Sequence, residues 1–267
     1  MAGYEHPDYW TLRAKKEGYP ARSVYKLEEI VRKFGLLNGL GSRRGTPECS
    51  QTGAGPAILD VGAAPGSWSL WLLRQMKGRG KLVAVDIQDL SIMPQAAAAR
   101  NSEPILASNA NKPMPGGESI RASEVSEVAG AAKAAKAANS SGSGEPSLAH
   151  FTFVKGDILD EPVRARLREL GPYNLVVSDA APATSGNRLV DQARSEELVE
   201  AVIGLALGVL APGGALVTKI FQGGEERRLL TELRAHFAQA RAFKPQACRS
   251  ESFETYLVAT GFSSNIE

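Results

Sequence analysis

Short apolar runs recur along the chain, bounded by glycine, proline or polar residues, and alternate with stretches whose apolar positions return every three to four residues. The strand candidates are 57–61 (AILDV), 81–87 (KLVAVDI), 151–154, 175–178 (LVVS), 215–221 (ALVTKIF), 240–243 and 255–260. Helical spacing covers 67 to about 76, about 191–210 and 225–237, with an Ala-Pro-Gly-Gly turn leading into the strand at 215. Near the start, SVYKLEEIVRKF carries a stripe of Val24, Leu27, Val31 and Phe34. Apolar strands separated by helices predict an α/β fold: a mostly parallel sheet covered on both faces. In such sheets ligands bind beyond the carboxyl ends of the strands, so the residues after each strand carry the chemistry.

Two stretches break the pattern. Residues 38–56 are rich in Gly, Ser, Arg and Pro and read as a loop insertion. Residues 88–149 hold runs such as AAAAR and AGAAKAAKAANSSGSGEP. That composition buries too little apolar surface to offset chain entropy, so it is expected to be a mobile, low-complexity insertion, partly helical around 124–138. The chain reads as one domain, 1–267, with both insertions inside it.

Composition narrows the function classes. Of 267 residues, 43% are hydrophobic and 22% charged, with a net charge of +2, which excludes a polycation or an acidic tail protein. Cys49 and Cys248 are unpaired in spacing, and no His/Cys cluster suggests a metal. No apolar run reaches the length of a membrane helix, and the start lacks a secretory leader, so a cytoplasmic protein is expected.

The loop after the first strand reads Asp60-Val61-Gly62-Ala63-Ala64-Pro65-Gly66-Ser67-Trp68. Glycines permit a tight turn into a helix whose first N–H groups are free. Against the dinucleotide fingerprint, Ala64 stands where the second glycine must be and Ser67 where the third must be. The loop therefore suits a nucleoside ligand without phosphates better than a dinucleotide; the plain alternative is a bare strand-to-helix turn. Asp86 ends the second strand, where an acidic residue grips a ribose diol. Alone it reads more readily as a cap or turn residue, and the spacing of twenty residues after Gly66 shifts it towards the ligand. Asp157 stands in the same relation to the third strand, for an adenine edge or for its own loop.

Asp179 leaves the fourth strand in Ser178-Asp179-Ala180-Ala181-Pro182, and Lys219 lies inside the apolar run ALVTKIF. A buried ammonium needs a partner or loses its proton more easily, and Asp179 would provide the partner. The alternative is that Lys219 simply emerges into solvent. Glu254 opens the final strand and, taken alone, reads as a solvated residue. Lys26 falls away from its helix's apolar stripe, so periodicity makes it a solvated lysine too. Around it, Arg13, Lys15, Lys16, Arg22, Arg32 and Lys33 alternate with Tyr9, Trp10, Tyr19 and Tyr25, the makeup of a nucleic-acid surface.

Together ARSVYKLEEI, LDVGAAPGSWS, AVDI, GDI, SDAAPATSG, APGGALVTKIFQG and CRSESFETYLVATG resemble the FtsJ/RrmJ family of S-adenosylmethionine-dependent ribose 2′-O-methyltransferases. The resemblance implies a Rossmann-like fold of seven strands, the last antiparallel. It implies a catalytic tetrad of Lys26, Asp179, Lys219 and Glu254, with S-adenosylmethionine held at Gly62, Gly66, Trp68, Asp86, Asp157 and Asp179. It implies no metal. Expected partners are RNA, foremost a uridine of large-subunit ribosomal RNA in an assembled particle, and no membrane, with the enzyme a monomer. A tRNA anticodon-loop methyltransferase and a cofactor-binding RNA-binding protein without catalysis remain the alternatives. Lys219 is expected to act as base or to orient the acceptor hydroxyl.

Overall fold

The computed structural model describes residues 8–38, 55–91, 151–183, 185–223, 225–249 and 252–264. All of them lie in one compact unit spanning Met1–Ile105 and Pro146–Glu267. Most of the 38–56 loop and nearly all of the 88–149 insertion, with the helix expected around 124–138, lie outside the described residues.

Seven strands form one sheet: β1 (Ala57–Val61), β2 (Lys81–Asp86), β3 (Phe151–Lys155), β4 (Tyr173–Ser178), β5 (Leu210–Phe221), β6 (Phe237–Phe243) and β7 (Glu254–Phe262). Their spatial order is β3-β2-β1-β4-β5-β7-β6. The first five pair in parallel, whereas β7 runs antiparallel to both β5 and β6. The expected mostly parallel sheet with an antiparallel last strand is what forms.

The helices are α1 (Tyr9–Glu17), α2 (Val24–Phe34), α3 (Ser67–Met76), α4 (Glu161–Glu169), α5 (Arg188–Val209) and α6 (Glu226–His236). Two apolar cores, one per face, explain why strands such as β1, β2 and β4 are almost wholly apolar. One joins Leu59, Val83 and Val176 to α4, α5 and α6; the other joins Ile58, Leu82 and Leu175 to α2 and α3. Alternate residues of a strand feed opposite layers, so both must be apolar. The Ala-Pro-Gly-Gly turn falls inside β5. Pairing with β4 jumps from Tyr173↔Leu210 to Leu175↔Ala215, which loops out Ala211–Gly214, and Gly213 takes a left-handed φ of 78° there.

Two helices escaped the sequence pattern. In α1 only Ala14 is buried, its ends instead being set by the Asp8 side chain accepting from Thr11 N and by Gly18 at φ 74°. In α4 only Val163 and Leu167 are buried, one turn apart in a charged segment.

Candidate active site and cofactor cradle

The loop from β1 to α3 turns at Gly62, whose φ is 71°. A Cβ there would stand 2.6 Å from Ala180 Cα, so the backbone after β1 nests against the residue following Asp179. Gly62 and Ala63 both donate to Val85 O, and Gly66, with φ 109°, starts α3. The turn thus lies between the ends of β2 and β4, where a parallel sheet opens a crevice.

A cavity of about 520 Å³ occupies that crevice, bordered by Gly62, Asp86, Ile87, Asp157, Leu159 and Asp179 among others. Asp86 Oδ2 accepts from Ala64 N at 2.8 Å and Oδ1 from Gln88 N at 2.8 Å. A carboxylate has about four lone-pair positions, so these two bonds fix Asp86 and leave capacity for a ligand's hydroxyls. Asp157 Oδ1 accepts from Leu159 N at 2.9 Å, so it stabilises its own turn while still facing the cavity. Ile87 and Leu159, 63% and 53% exposed, supply apolar surface on the same rim. Four carboxylates (Asp86, Asp157, Asp179 and Glu197) against one cation, Arg194, with an apolar rim and a glycine floor, fit S-adenosylmethionine, with its sulfonium charge, ribose diol and flat adenine. The same acidic lining repels a pyrophosphate, in line with the faulty dinucleotide fingerprint.

Gly66 and Trp68 are not among the residues bordering this cavity. Trp68 is 2% exposed; its indole N–H donates to Ser23 O at 2.9 Å and its ring lies 6.0 Å from that of Tyr256. Ser67 Oγ likewise accepts from Ala21 N at 2.7 Å. These residues brace the start of α3 against the segment leading into α2.

The four tetrad residues form two ion pairs. Lys219 Nζ is 3.0 Å from Asp179 Oδ1 and also donates to the Asp179 carbonyl oxygen. Lys26 Nζ is 2.6 Å from Glu254 Oε1, with 11% and 12% of the two side chains exposed. The expectation of a solvated Lys26 and a solvated Glu254 is therefore corrected. The amino-terminal turn of α2 buries Val24, Tyr25, Lys26 and Leu27 alike, because α2 meets the sheet's core on one side and the turn before β7 on another. Burial alone would raise the Glu254 carboxyl; Lys26, the Cys248 thiol and the Lys219 charge overcome it and hold Glu254 below the ordinary carboxylate range.

Tyr256 and Cys248 are additions that sequence reasoning missed. Tyr256 is fully buried and its hydroxyl donates to Asp179 Oδ1 at 2.8 Å. Burial first, then the Asp179 and Glu254 charges, push its phenol well above the usual tyrosine range, so it stays a donor. Its signal was present: Tyr256 is two residues after Glu254, hence on the same face of the strand. Cys248 hydrogen-bonds Glu254, and burial with that carboxylate raises its thiol to about 12.

A second cavity, about 410 Å³, borders the Lys26–Glu254 pair and includes Arg22, Ser23, Arg249 and Ser252. Asp179 lines the first cavity and pairs with Lys219, while Lys26 and Glu254 line the second. The tetrad thus lies between an acidic cradle and a basic opening. The basic, aromatic surface expected around α1 and α2 is partly internal. Tyr25 is 2% exposed, Arg13 stacks on it at 4.3 Å and pairs with Glu17 at 2.7 Å, and Arg32 pairs with Glu28 at 2.9 Å. Lys15 and Lys16 are exposed. Among the described residues no group of His, Cys, Asp and Glu is arranged to hold a metal ion, and no helix is long and apolar enough to cross a membrane.

The FtsJ-like methyltransferase family profile matches residues 19–121 and 124–262. A ribosomal RNA large subunit methyltransferase E of Treponema denticola is 38% identical over 97% of this chain and 96% of its own length. A protein of that name from Borreliella afzelii is 34% identical over 96% and 98%. A solved putative ribosomal RNA methyltransferase from Plasmodium falciparum superposes with a TM-score of 0.59 at 20% identity, covering 91% of this chain and 98% of that one, which speaks to the fold. With such relatives matching end to end, and with a cradle suited to the methyl donor, this chain belongs to the FtsJ-like methyltransferase family and takes its methyl group from S-adenosylmethionine.

Proposed function

We propose that the enzyme methylates a ribose 2′-hydroxyl of RNA, a uridine in large-subunit ribosomal RNA met within the assembled particle. The observation that carries this reading is the position of Asp179. It lines the acidic cradle and is 3.0 Å from the Lys219 ammonium, so one carboxylate joins the methyl-donor side to the acceptor side. The names of the relatives from Treponema denticola and Borreliella afzelii support ribosomal RNA of the large subunit as the substrate.

When bound, S-adenosylmethionine supplies a methyl group already made electrophilic by its sulfonium. The chain's own task is alignment of the acceptor oxygen and removal of its proton. Lys219 has three N–H donors, of which two are taken by Asp179. The third orients the acceptor hydroxyl. That hydroxyl becomes strongly acidic as the new oxygen–carbon bond forms, so the Asp179 carboxylate suffices to receive its proton without a strong base. Glu254 fixes Lys26, which presents its remaining donors to the second cavity, where Arg22 and Arg249 suit the flanking phosphates. In the same reading the enzyme works as a monomer in the cytoplasm.

The test is labelled-methyl transfer to large ribosomal subunits from cells lacking the enzyme, alongside total tRNA, DNA and protein. Label in the large-subunit RNA supports the proposal. Label confined to tRNA transfers the reading to an anticodon-loop enzyme, and label in DNA or protein alone refutes it.

A further inference from the structure

A second side-chain cluster stands beside the tetrad without belonging to it. Arg188, the first residue of α5, holds its guanidinium carbon 5.3 Å from the centroid of the Phe253 ring. Phe253 meets Phe221 edge-on, with centroids 5.0 Å apart and planes at 68°. Phe221 is the cross-strand partner of Glu254, and opposed residues of an antiparallel pair share a face. The aromatic pair therefore abuts the side of the sheet on which Glu254 holds Lys26.

The cluster is graded from inside to outside. Phe221, 9% exposed, is its buried base, Phe253 is half-buried and Arg188 exposed, and the neighbouring Leu189 and Val190 are 77% and 38% exposed. Exposed apolar residues beside a cation stacked on an aromatic ring offer a ligand an apolar face and a positive charge together. The segment is also held in place. Ser185 N and Oγ both donate to Asp191 Oδ1, at 2.7 and 2.8 Å, Asn187 Oδ1 accepts from Leu189 N at 3.1 Å, and Gln192 donates to Gln222 O at 2.5 Å.

We propose that the Arg188–Phe253 stack receives an unpaired base of the RNA substrate beside the acceptor ribose. The proposal rests on RNA being the substrate of the neighbouring site. A regular RNA helix displays its 2′-hydroxyls in a shallow groove, but the Lys219 side chain is only 10% exposed. A ribose that reaches it is therefore drawn out of the helix, and its own base or the next one loses a stacking neighbour. An aromatic ring and a guanidinium plane replace the lost stack. Since every base presents a π-face, the contact selects a splayed nucleotide rather than a particular base.

The probe is the large ribosomal subunit from cells lacking the enzyme, with full-length Phe253→Ala, Phe253→Trp and Arg188→Ala. Both alanine variants are expected to lose about ten-fold or more in kcat/KM for the particle, the scale of one lost stacked base, with unchanged affinity for S-adenosylmethionine. Phe253→Trp is expected to restore the wild-type value. Arg188 lies on the surface, so its variant keeps the test open should Phe253→Ala misfold. Unchanged kcat/KM in Arg188→Ala, or an equal loss of cofactor affinity in the variants, would overturn the proposal and leave the cluster a structural prop. Failure of the wild-type enzyme to methylate the particle would instead refute the functional reading itself.

Discussion

Lys219 and Tyr256 face each other across β5 and β7 and meet the same oxygen, Asp179 Oδ1, at 3.0 and 2.8 Å. A carboxylate oxygen held by a cation and a neutral donor is fixed in rotamer. Tyr256→Phe removes the neutral donor alone. It is expected to cost about 1–3 kcal/mol of stability, the scale of leaving a buried acceptor short of a partner, and to lower kcat while leaving the KM for S-adenosylmethionine unchanged. Denaturant unfolding and steady-state kinetics check both; an unchanged kcat would remove Tyr256 from the account.

The Lys26–Glu254 pair carries a pH signature. Glu254 lies below its ordinary value, so its contribution is fully present above the normal glutamate value of about 4.3 and is lost as pH falls through the lowered one. Lys26→Met leaves the buried carboxylate without its ion-pair partner, with only the Cys248 thiol and the Lys219 charge to support it. It is expected to cost up to about 3–5 kcal/mol at pH 7. That cost should shrink as the pH is lowered towards 4 and Glu254 takes up a proton. A cost independent of pH would show that the pair is not the source of the stability.

Asp60 behaves in the opposite sense. It is fully buried at the end of β1; Oδ2 accepts from Ser69 Oγ at 2.6 Å, and Oδ1 has no partner among the described residues. Burial, opposed by the Ser69 bond and reinforced by the Asp179 and Asp86 charges, raises its carboxyl to about 7. The neutral form is favoured in the fold, so stability is lost as pH rises from about 4 through 7. Asp60→Asn should flatten that slope in thermal unfolding. An identical slope in variant and wild type would mean that Asp60 is ionised throughout.

Gly62→Ala tests the cradle. The added Cβ would meet Ala180 at 2.6 Å, and the φ of 71° is one that alanine resists. Cofactor affinity is expected to fall at least ten-fold, measured by equilibrium dialysis, and retained affinity would contradict the nesting of this turn against Ala180.

The sheet was legible because its strands are short, apolar and bounded by turn residues, as with AILDV and ALVTKIF. The antiparallel last strand came from the family resemblance, and the placing of β7 between β5 and β6 came only from the structure, since pairing partners leave no mark in a strand's own composition. Lys26 was misread by periodicity because Val24, Leu27, Val31 and Phe34 mark only one buried side of α2. Ile30, one turn after Lys26 and fully buried, was the sign of a second. Asp86, Asp157 and Asp179 were found from their places after strands. The cluster of Arg188, Phe253 and Phe221 joins residues far apart in sequence, which no local pattern announces.

The central claim is that the two ion pairs deliver a methyl group to a ribose oxygen. Its most direct test is to label large-subunit RNA with the wild-type enzyme and with Lys219→Ala, then hydrolyse it with alkali. A 2′-O-methyl group blocks cleavage of the adjoining phosphodiester, so the account predicts label in an alkali-resistant dinucleotide with the wild type. With Lys219→Ala it predicts none, although that variant still binds S-adenosylmethionine. Label released in mononucleotides, marking a methylated base, or undiminished transfer by Lys219→Ala would contradict it.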